Sequence, residues 1–158
     1  MTRVTVIGLG SPFGADRVGW EVAERLAASA RVTELGAAVQ VCAAPGGELP
    51  GLLAGAEAAI LVDAVRAGGL RGTIYRLWRP DPALLAEGRV SSHGLSVRSA
   101  MELLQALGEG PQVWLLYGID LGGGGAGEPV SDPLVPAVVR VTEAIVHEIA
   151  GWRVAAGK

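Results

Sequence analysis

The 158-residue chain has one cysteine, few aromatic residues and few charges, and each scarcity excludes a class of protein. With Cys42 alone, it has no disulfide framework and no zinc cluster built on several thiolates. The formal charge is −3 and no run of lysine or arginine occurs, which argues against nucleic-acid binding. No apolar run reaches the roughly 18–20 residues that span a bilayer, and no signal-peptide cleavage site follows the first apolar segment. We therefore expect a soluble, cytoplasmic protein.

Composition and length favour a compact α/β protein. Half of the residues are hydrophobic and 18% are charged, as is typical of proteins with buried parallel strands. At this length we expect one domain, residues 1–158, since no linker and no internal repeat interrupts the chain. Nothing in the sequence requires more than a monomer.

Strands and helices are predicted to alternate along the chain. The predicted strands are RVTVIGLG, AAVQVCAA, AAILVDAV, GTIYRLWRP and PQVWLLYGID, and the fourth is placed at a sheet edge because it ends in Pro80. Helical periodicity begins at Val18, recurs at about Leu95–Leu107 and closes the chain, where Asp132 suits the N-cap and Pro133 the first helical position. PGGELPG is predicted as a turn and LGGGGAGEP as a flexible loop. The alternation predicts an α/β fold: a three-layer doubly wound, mostly parallel sheet of about five strands with helices on both faces.

Three residues that commonly bind metals follow or precede the predicted elements. Asp16 follows the first strand, Asp63 lies near the end of the third, inside LVDAV, and His93 stands just before a helix. Ligands of doubly wound sheets bind outside the carboxyl ends of the strands, where these residues can converge. Two carboxylates and one imidazole suit a borderline divalent ion with positions left open for water or substrate, without choosing among zinc, nickel and manganese.

Each of the three residues also has a structural alternative. Asp16 can serve as the N-cap of the first helix. Asp63 can cap the next turn or pair with Arg66, because a buried unpaired carboxylate costs several kcal/mol. His93 can stand at a helix start with no partner, and Asp120 can either face the same rim or anchor a loop.

Other known motifs fit the chain less well. GLGSPFG begins like a dinucleotide-binding loop, but Phe13 stands where G-x-G-x-x-G has its last glycine, and a ribose-binding acid is missing at the usual spacing. The chain has no G-x-S-x-G, P-loop or H-E-x-x-H motif. Cys42 is predicted to lie in the core, and His147 either lies on a solvated helix face or serves as a helix-end cation.

Four segments, in order, resemble the nickel–iron hydrogenase maturation proteases: VIGLGSPFGADRVGWEVAERL, ILVDAV, SSHGLSV and VWLLYGIDL. The resemblance covers nearly the whole chain, through EPVSDPLVPAVVRVTEAI. It implies a cytoplasmic endopeptidase that removes the C-terminal extension of the hydrogenase large-subunit precursor after nickel insertion. It further implies that Asp16, Asp63 and His93 engage the nickel delivered by the precursor, with Asp16 and Asp63 in catalysis. Another divalent metal is expected to be able to occupy the site in vitro.

The chain departs from the family in its first loop. The usual pair of adjacent acids reads here as Ala15–Asp16, and we align Asp16 with the ligand-bearing second acid because VGW follows in register. Sliding the alignment by one residue would put Arg17 in the ligand position and remove the site. The missing acid leaves an alternative open, a nickel-dependent module that binds the precursor without cleaving it. Recovery of cleavage in Ala15→Asp would support that alternative.

Overall fold

The computed structural model describes residues 3–80, 93–123, 129–131 and 133–157. Within these residues the chain forms one five-stranded sheet in the order β2-β1-β3-β5-β4. Strands β1, β2, β3 and β5 are parallel, and β4 pairs with β5 in the antiparallel direction at the edge. The predicted sheet, with its fourth strand at an edge, is confirmed. Its strands are β1 Val4–Leu9, β2 Ala38–Cys42, β3 Ala58–Val65, β4 Ile74–Trp78 and β5 Val113–Asp120.

Helices cover both faces of the sheet. One face packs against α1, α2 and α5, and the other against α3 and α4, so the apolar core lies in two layers on either side of the strands. β3 has an almost continuously apolar sequence, and all eight of its residues are buried, as expected of a strand covered by helices on both faces. In the described part of the chain, no helix is both long and apolar enough to cross a membrane. The helices are a short 3-10 helix Gly14–Arg17, α1 Val18–Ala27, α2 Ala30–Glu34, α3 Pro45–Leu53, α4 Gly94–Leu107 and α5 Leu134–Ala156.

The prediction of a turn at PGGELPG is wrong, because this segment begins helix α3. Pro45 occupies the first turn, where the missing N–H breaks no helical hydrogen bond. The Glu48 carboxylate accepts a hydrogen bond from the Ala44 N–H at 3.0 Å, which satisfies a backbone donor at the start of the helix. Leu49 and Leu53 are fully buried against the sheet, and their burial outweighs the low helix propensity of the glycines and of the internal proline.

The boundaries of the last helix differ slightly from the prediction. α5 begins at Leu134 with Pro133 at its N-cap, one residue later than predicted. The proposed N-cap Asp132 lies outside the described residues, as do residues 124–128 of the predicted glycine-rich loop.

Two glycines let α1 lie unusually close to β1. A Cβ on Gly19 would meet the Leu9 carbonyl oxygen at 2.2 Å, and one on Gly8 would meet the Gly19 oxygen at the same distance. Any larger residue would push the helix away from the strand. Gly8, the first glycine of GLGSPFG, therefore serves helix–strand packing together with Gly19, and this close contact fixes where the loop between β1 and α1 leaves the sheet.

Candidate active site

The three predicted ligand residues come together at the carboxyl end of the sheet. Asp63 lies in β3, Asp16 in the 3-10 helix that connects β1 to α1, and His93 immediately before α4. β1 and β3 are neighbouring parallel strands, so the ends of both face the same rim. One donor atom from each residue can be chosen so that all three atoms lie within 4.8 Å of one another. The tertiary structure thus assembles a cluster from residues up to 77 positions apart in the sequence.

Asp63 is a fully buried carboxylate whose contacts explain its place in an apolar strand. Its exposed fraction is 0%. Oδ1 accepts a hydrogen bond from the Ala64 N–H at 2.9 Å, and His93 Nδ1 lies 3.2 Å from Oδ1 and 3.1 Å from Oδ2. The alternative partner Arg66 donates instead to the Gly122 carbonyl at 3.1 Å. The imidazole therefore helps to offset the desolvation of this carboxylate.

His93 occupies the N-cap position of α4, but its imidazole makes no capping hydrogen bond there. Its carbonyl accepts the Val97 N–H at 2.9 Å, which holds the backbone at the helix start. The hydrogen bond with Asp63 raises the pKa of His93 against the opposing effect of burial, and the charges of Asp63 and Asp16 raise it further. The surroundings of this imidazole thus favour positive charge, as a cation site requires.

Asp16 does not act as the N-cap of the first helix. That position belongs to Arg17, and no side chain caps α1. The Asp16 carbonyl accepts the Ser11 N–H at 3.4 Å. Gly10 has a φ of +140°, and a Cβ there would lie 2.2 Å from the Asp16 carbonyl oxygen, so only glycine fits. The backbone that carries Asp16 is therefore held tightly against the end of β1.

The neighbours of Asp16 bear on the alignment of the first loop. Arg17 is engaged in ion pairs with Glu21, at 3.8 Å, and with Glu24. Ala15 is fully buried in the core layer that contains α1. Asp16 is thus the residue of this loop that joins the cluster, and the position of the missing first acid lies inside the protein.

The donor set fits a divalent metal ion. With metal–ligand bonds of about 2.1 Å, neighbouring donors at right angles lie about 3 Å apart and opposite donors about 4.2 Å apart. The 3.1 Å between His93 Nδ1 and Asp63 Oδ2 matches a neighbouring pair. The 4.8 Å bound on all separations exceeds the wider value by a few tenths of an ångström, within reach of a small rotation of the partly exposed Asp16 side chain. Carboxylate oxygen and imidazole nitrogen suit nickel, zinc and manganese alike.

Asp120 anchors a loop. Its Oδ2 accepts hydrogen bonds from the Gly69 N–H at 2.9 Å and the Tyr75 hydroxyl at 2.9 Å, and Oδ1 accepts the Gly122 N–H at 2.8 Å. The side chain is only 1% exposed. These donors occupy both carboxylate oxygens, so Asp120 orders the loops after β3 and β5 beside the site.

The two other candidates of the sequence are not members of the cluster. Cys42 is 1% exposed, and burial raises the pKa of its thiol to about 11, as in an unreactive core cysteine. His147 is exposed on α5, as predicted.

The fold is shared with solved hydrogenase maturation proteases. No family model and no curated protein sequence matches the chain significantly. The hydrogenase maturating endopeptidase HybD from E. coli superposes with a TM-score of 0.65 at 23% identity, over 93% of this chain and 94% of the other. The [NiFe] hydrogenase maturation protease HybD from Thermococcus kodakarensis gives 0.70 at 20%, over 91% and 97%. HycI from T. kodakarensis KOD1, also a [NiFe] hydrogenase maturation protease, gives 0.63 at 27%, over 94% and 92%. This chain therefore shares the fold of solved hydrogenase maturation proteases.

The resemblance stated from the sequence motifs is thereby confirmed. In this maturation-protease fold, the sequence alone identified all three members of the cluster. It did not reveal that Ala15 is buried, because a single alanine between a glycine and an aspartate carries no signal of its depth.

Proposed function

We propose that the protein is an endopeptidase that removes the C-terminal extension of a nickel–iron hydrogenase large-subunit precursor after nickel insertion. The observation that carries the proposal is the Asp16–Asp63–His93 cluster, assembled at the carboxyl rim of a maturation-protease fold. The cluster would recognise the nickel of the precursor, so that the ion arrives as part of the substrate. The chain would act as a monomer.

The burial of the three residues supports different roles for them. Asp63, fully buried and in contact with His93, would orient the imidazole and hold its proton until the ion arrives. Asp16 is partly exposed, so of the two catalytic candidates it is the carboxylate that water can reach. We assign it the general base that removes a proton from the attacking water. A divalent ion in such a site polarises a carbonyl or acidifies a bound water.

Recognition through an incomplete coordination shell would let the enzyme distinguish its substrates. Three donors from the protein leave room for ligands that the precursor retains around its nickel. A precursor without nickel would leave two carboxylates and the imidazole facing an empty space, and it would bind less well. The order of events, nickel insertion before cleavage, would follow from this requirement.

The proposal is tested by incubating the protein with nickel-loaded and nickel-free precursor and measuring intact masses. We expect loss of a short C-terminal fragment from the loaded precursor only. Asp16→Asn, Asp63→Asn and His93→Gln should each reduce cleavage by about 100-fold or more, the range reported for loss of a general base or an electrostatic group.

Matched controls come from the same chain. His147→Gln alters the other histidine, and Glu102→Gln alters an exposed carboxylate of α4 that pairs with Arg98, so both should cleave at the wild-type rate. Asp63→Asn is the variant most at risk of misfolding, so circular dichroism and thermal melts accompany it. Asp16→Asn changes a partly exposed side chain and should remain folded. Rapid cleavage by folded Asp16→Asn and His93→Gln would refute the assigned roles.

The alternative function, nickel-dependent binding of the precursor without cleavage, is favoured by one observation. At Ala15, where the family has the first of its two adjacent acids, this chain has an alanine that is 0% exposed. Binding of loaded precursor with no mass change, while a known maturation protease cleaves the same sample, would establish this alternative.

A further inference from the structure

Phe13 is the only phenylalanine of the chain, and 77% of its side chain is exposed. Large apolar side chains of a folded protein usually contribute to its core. Phe13 contributes almost nothing there, although the next residue but one, Ala15, is fully buried. The loop that carries Phe13 therefore lies next to the core, and distance from the core does not explain why this side chain is exposed.

The loop that carries Phe13 is anchored on both sides. The Gly10 N–H donates to the Cys42 carbonyl at 3.2 Å, and the Ser11 N–H donates to the Asp16 carbonyl at 3.4 Å. The Ser11 hydroxyl accepts the Phe13 N–H itself at 3.3 Å. Pro12 further restricts the backbone between these bonds. An aromatic side chain on such a loop can bind a partner with little loss of backbone entropy.

Phe13 also lies beside the proposed catalytic residue. It is the N-cap of the 3-10 helix that contains Asp16, three residues earlier. One turn of a 3-10 helix holds three residues and rises about 6 Å. A polypeptide whose scissile bond lies at Asp16 therefore has one or two neighbouring residues within reach of the phenyl ring.

We propose that Phe13 is a specificity-determining residue that packs against an apolar side chain of the precursor next to the scissile bond. This inference rests on the proposed function, because it takes the precursor as the occupant. Aromatic side chains, phenylalanine among them, are enriched at protein–protein interfaces, where a few buried anchors supply most of the binding energy. Since the contact would form in the ground state and persist in the transition state, it would act on KM and leave kcat unchanged.

The test compares Phe13→Ala, Phe13→Leu and Leu107→Ala with the unsubstituted protein. Leu107 is 59% exposed at the far end of α4, about 20 Å along the helix from His93, and is the matched control for removing an exposed apolar side chain. Cleavage of nickel-loaded precursor gives kcat and KM. Biolayer interferometry with the immobilised precursor gives Kd, and a thermal melt reports on folding.

For Phe13→Ala we expect a rise of about tenfold in KM and Kd with unchanged kcat and melting temperature. Phe13→Leu should retain most of the affinity, and Leu107→Ala all of it. Equal KM and Kd in Phe13→Ala and Leu107→Ala would overturn the inference, as would a loss confined to kcat or a lowered melting temperature. If the unsubstituted protein does not cleave, the proposed endopeptidase function fails, and the Kd comparison still decides the role of Phe13.

Discussion

Introducing the acid that the family carries in its first loop, by Ala15→Asp, should destabilise the fold. Ala15 is 0% exposed and packs in the apolar layer that contains Val18 and Val22 of α1. The substitution places a carboxyl group where the described structure offers apolar neighbours. The introduced charge would therefore be directed into the core.

The magnitude follows from two physical terms. Burying a carboxylate costs several kcal/mol after relaxation, and forcing extra atoms into a packed core adds about 1–3 kcal/mol. We expect a loss of about 3–5 kcal/mol in the free energy of unfolding, a large part of the ~5–15 kcal/mol that domains typically possess. Burial favours the neutral acid and raises the pKa of the introduced group. The loss should therefore be greatest at high pH and shrink as the pH falls towards the unfolded-state pKa of about 4.

Urea unfolding at pH 5 and pH 8, followed by tryptophan fluorescence, measures both effects. Ala30→Asp is the control, since it adds the same charge at an exposed first residue of α2, where an acid is favourable. A loss below about 0.5 kcal/mol relative to this control, or one that grows at low pH, would refute the burial argument. If the variant instead remains stable and gains cleavage, the missing acid limits activity in the natural chain.

Two further predictions concern the site and its support. The pKa of His93 should lie above its ordinary 6.5 in the metal-free protein, mainly because of its hydrogen bond with Asp63, and NMR titration should show it falling in Asp63→Asn. Because the pKa of His93 is raised in the folded state, its contact with Asp63 should stabilise the fold fully at a pH below the unfolded-state pKa. That stabilisation should be lost as the pH rises through the folded-state pKa. A measured His93 pKa below 6.5 would contradict both expectations. Gly19→Ala should destabilise the protein by about 2–4 kcal/mol, since its Cβ would lie 2.2 Å from a β1 carbonyl oxygen. Gly151→Ala, with open space around its Cβ within α5, should be neutral or stabilising by up to about 1 kcal/mol, and equal denaturation midpoints for the two variants would disprove the packing argument.

The fold was predictable where the sequence pattern had a single physical interpretation. β3 runs from Ala58 to Val65, the bounds predicted from the segment AAILVDAV, in which every residue except Asp63 is apolar. Helix α3 was missed because its glycines and prolines indicate a turn. Only the burial of Leu49 and Leu53 against the sheet makes that segment helical.

The sequence by itself determined which residues form the candidate site, because Asp16 and Asp63 stand at the carboxyl ends of parallel strands that meet at one rim, and His93 stands just before a helix that can bring it to the same rim. The tertiary structure decided the relations between them. It placed the His93 imidazole 3.1 Å from a buried Asp63 carboxylate oxygen and held Asp16 against β1 through a glycine contact. It also buried Ala15 and exposed Phe13, two neighbours in one loop. The depth of a residue depends on packing between elements that are distant in the chain. No local sequence pattern could therefore have predicted that Ala15 is buried and Phe13 is exposed.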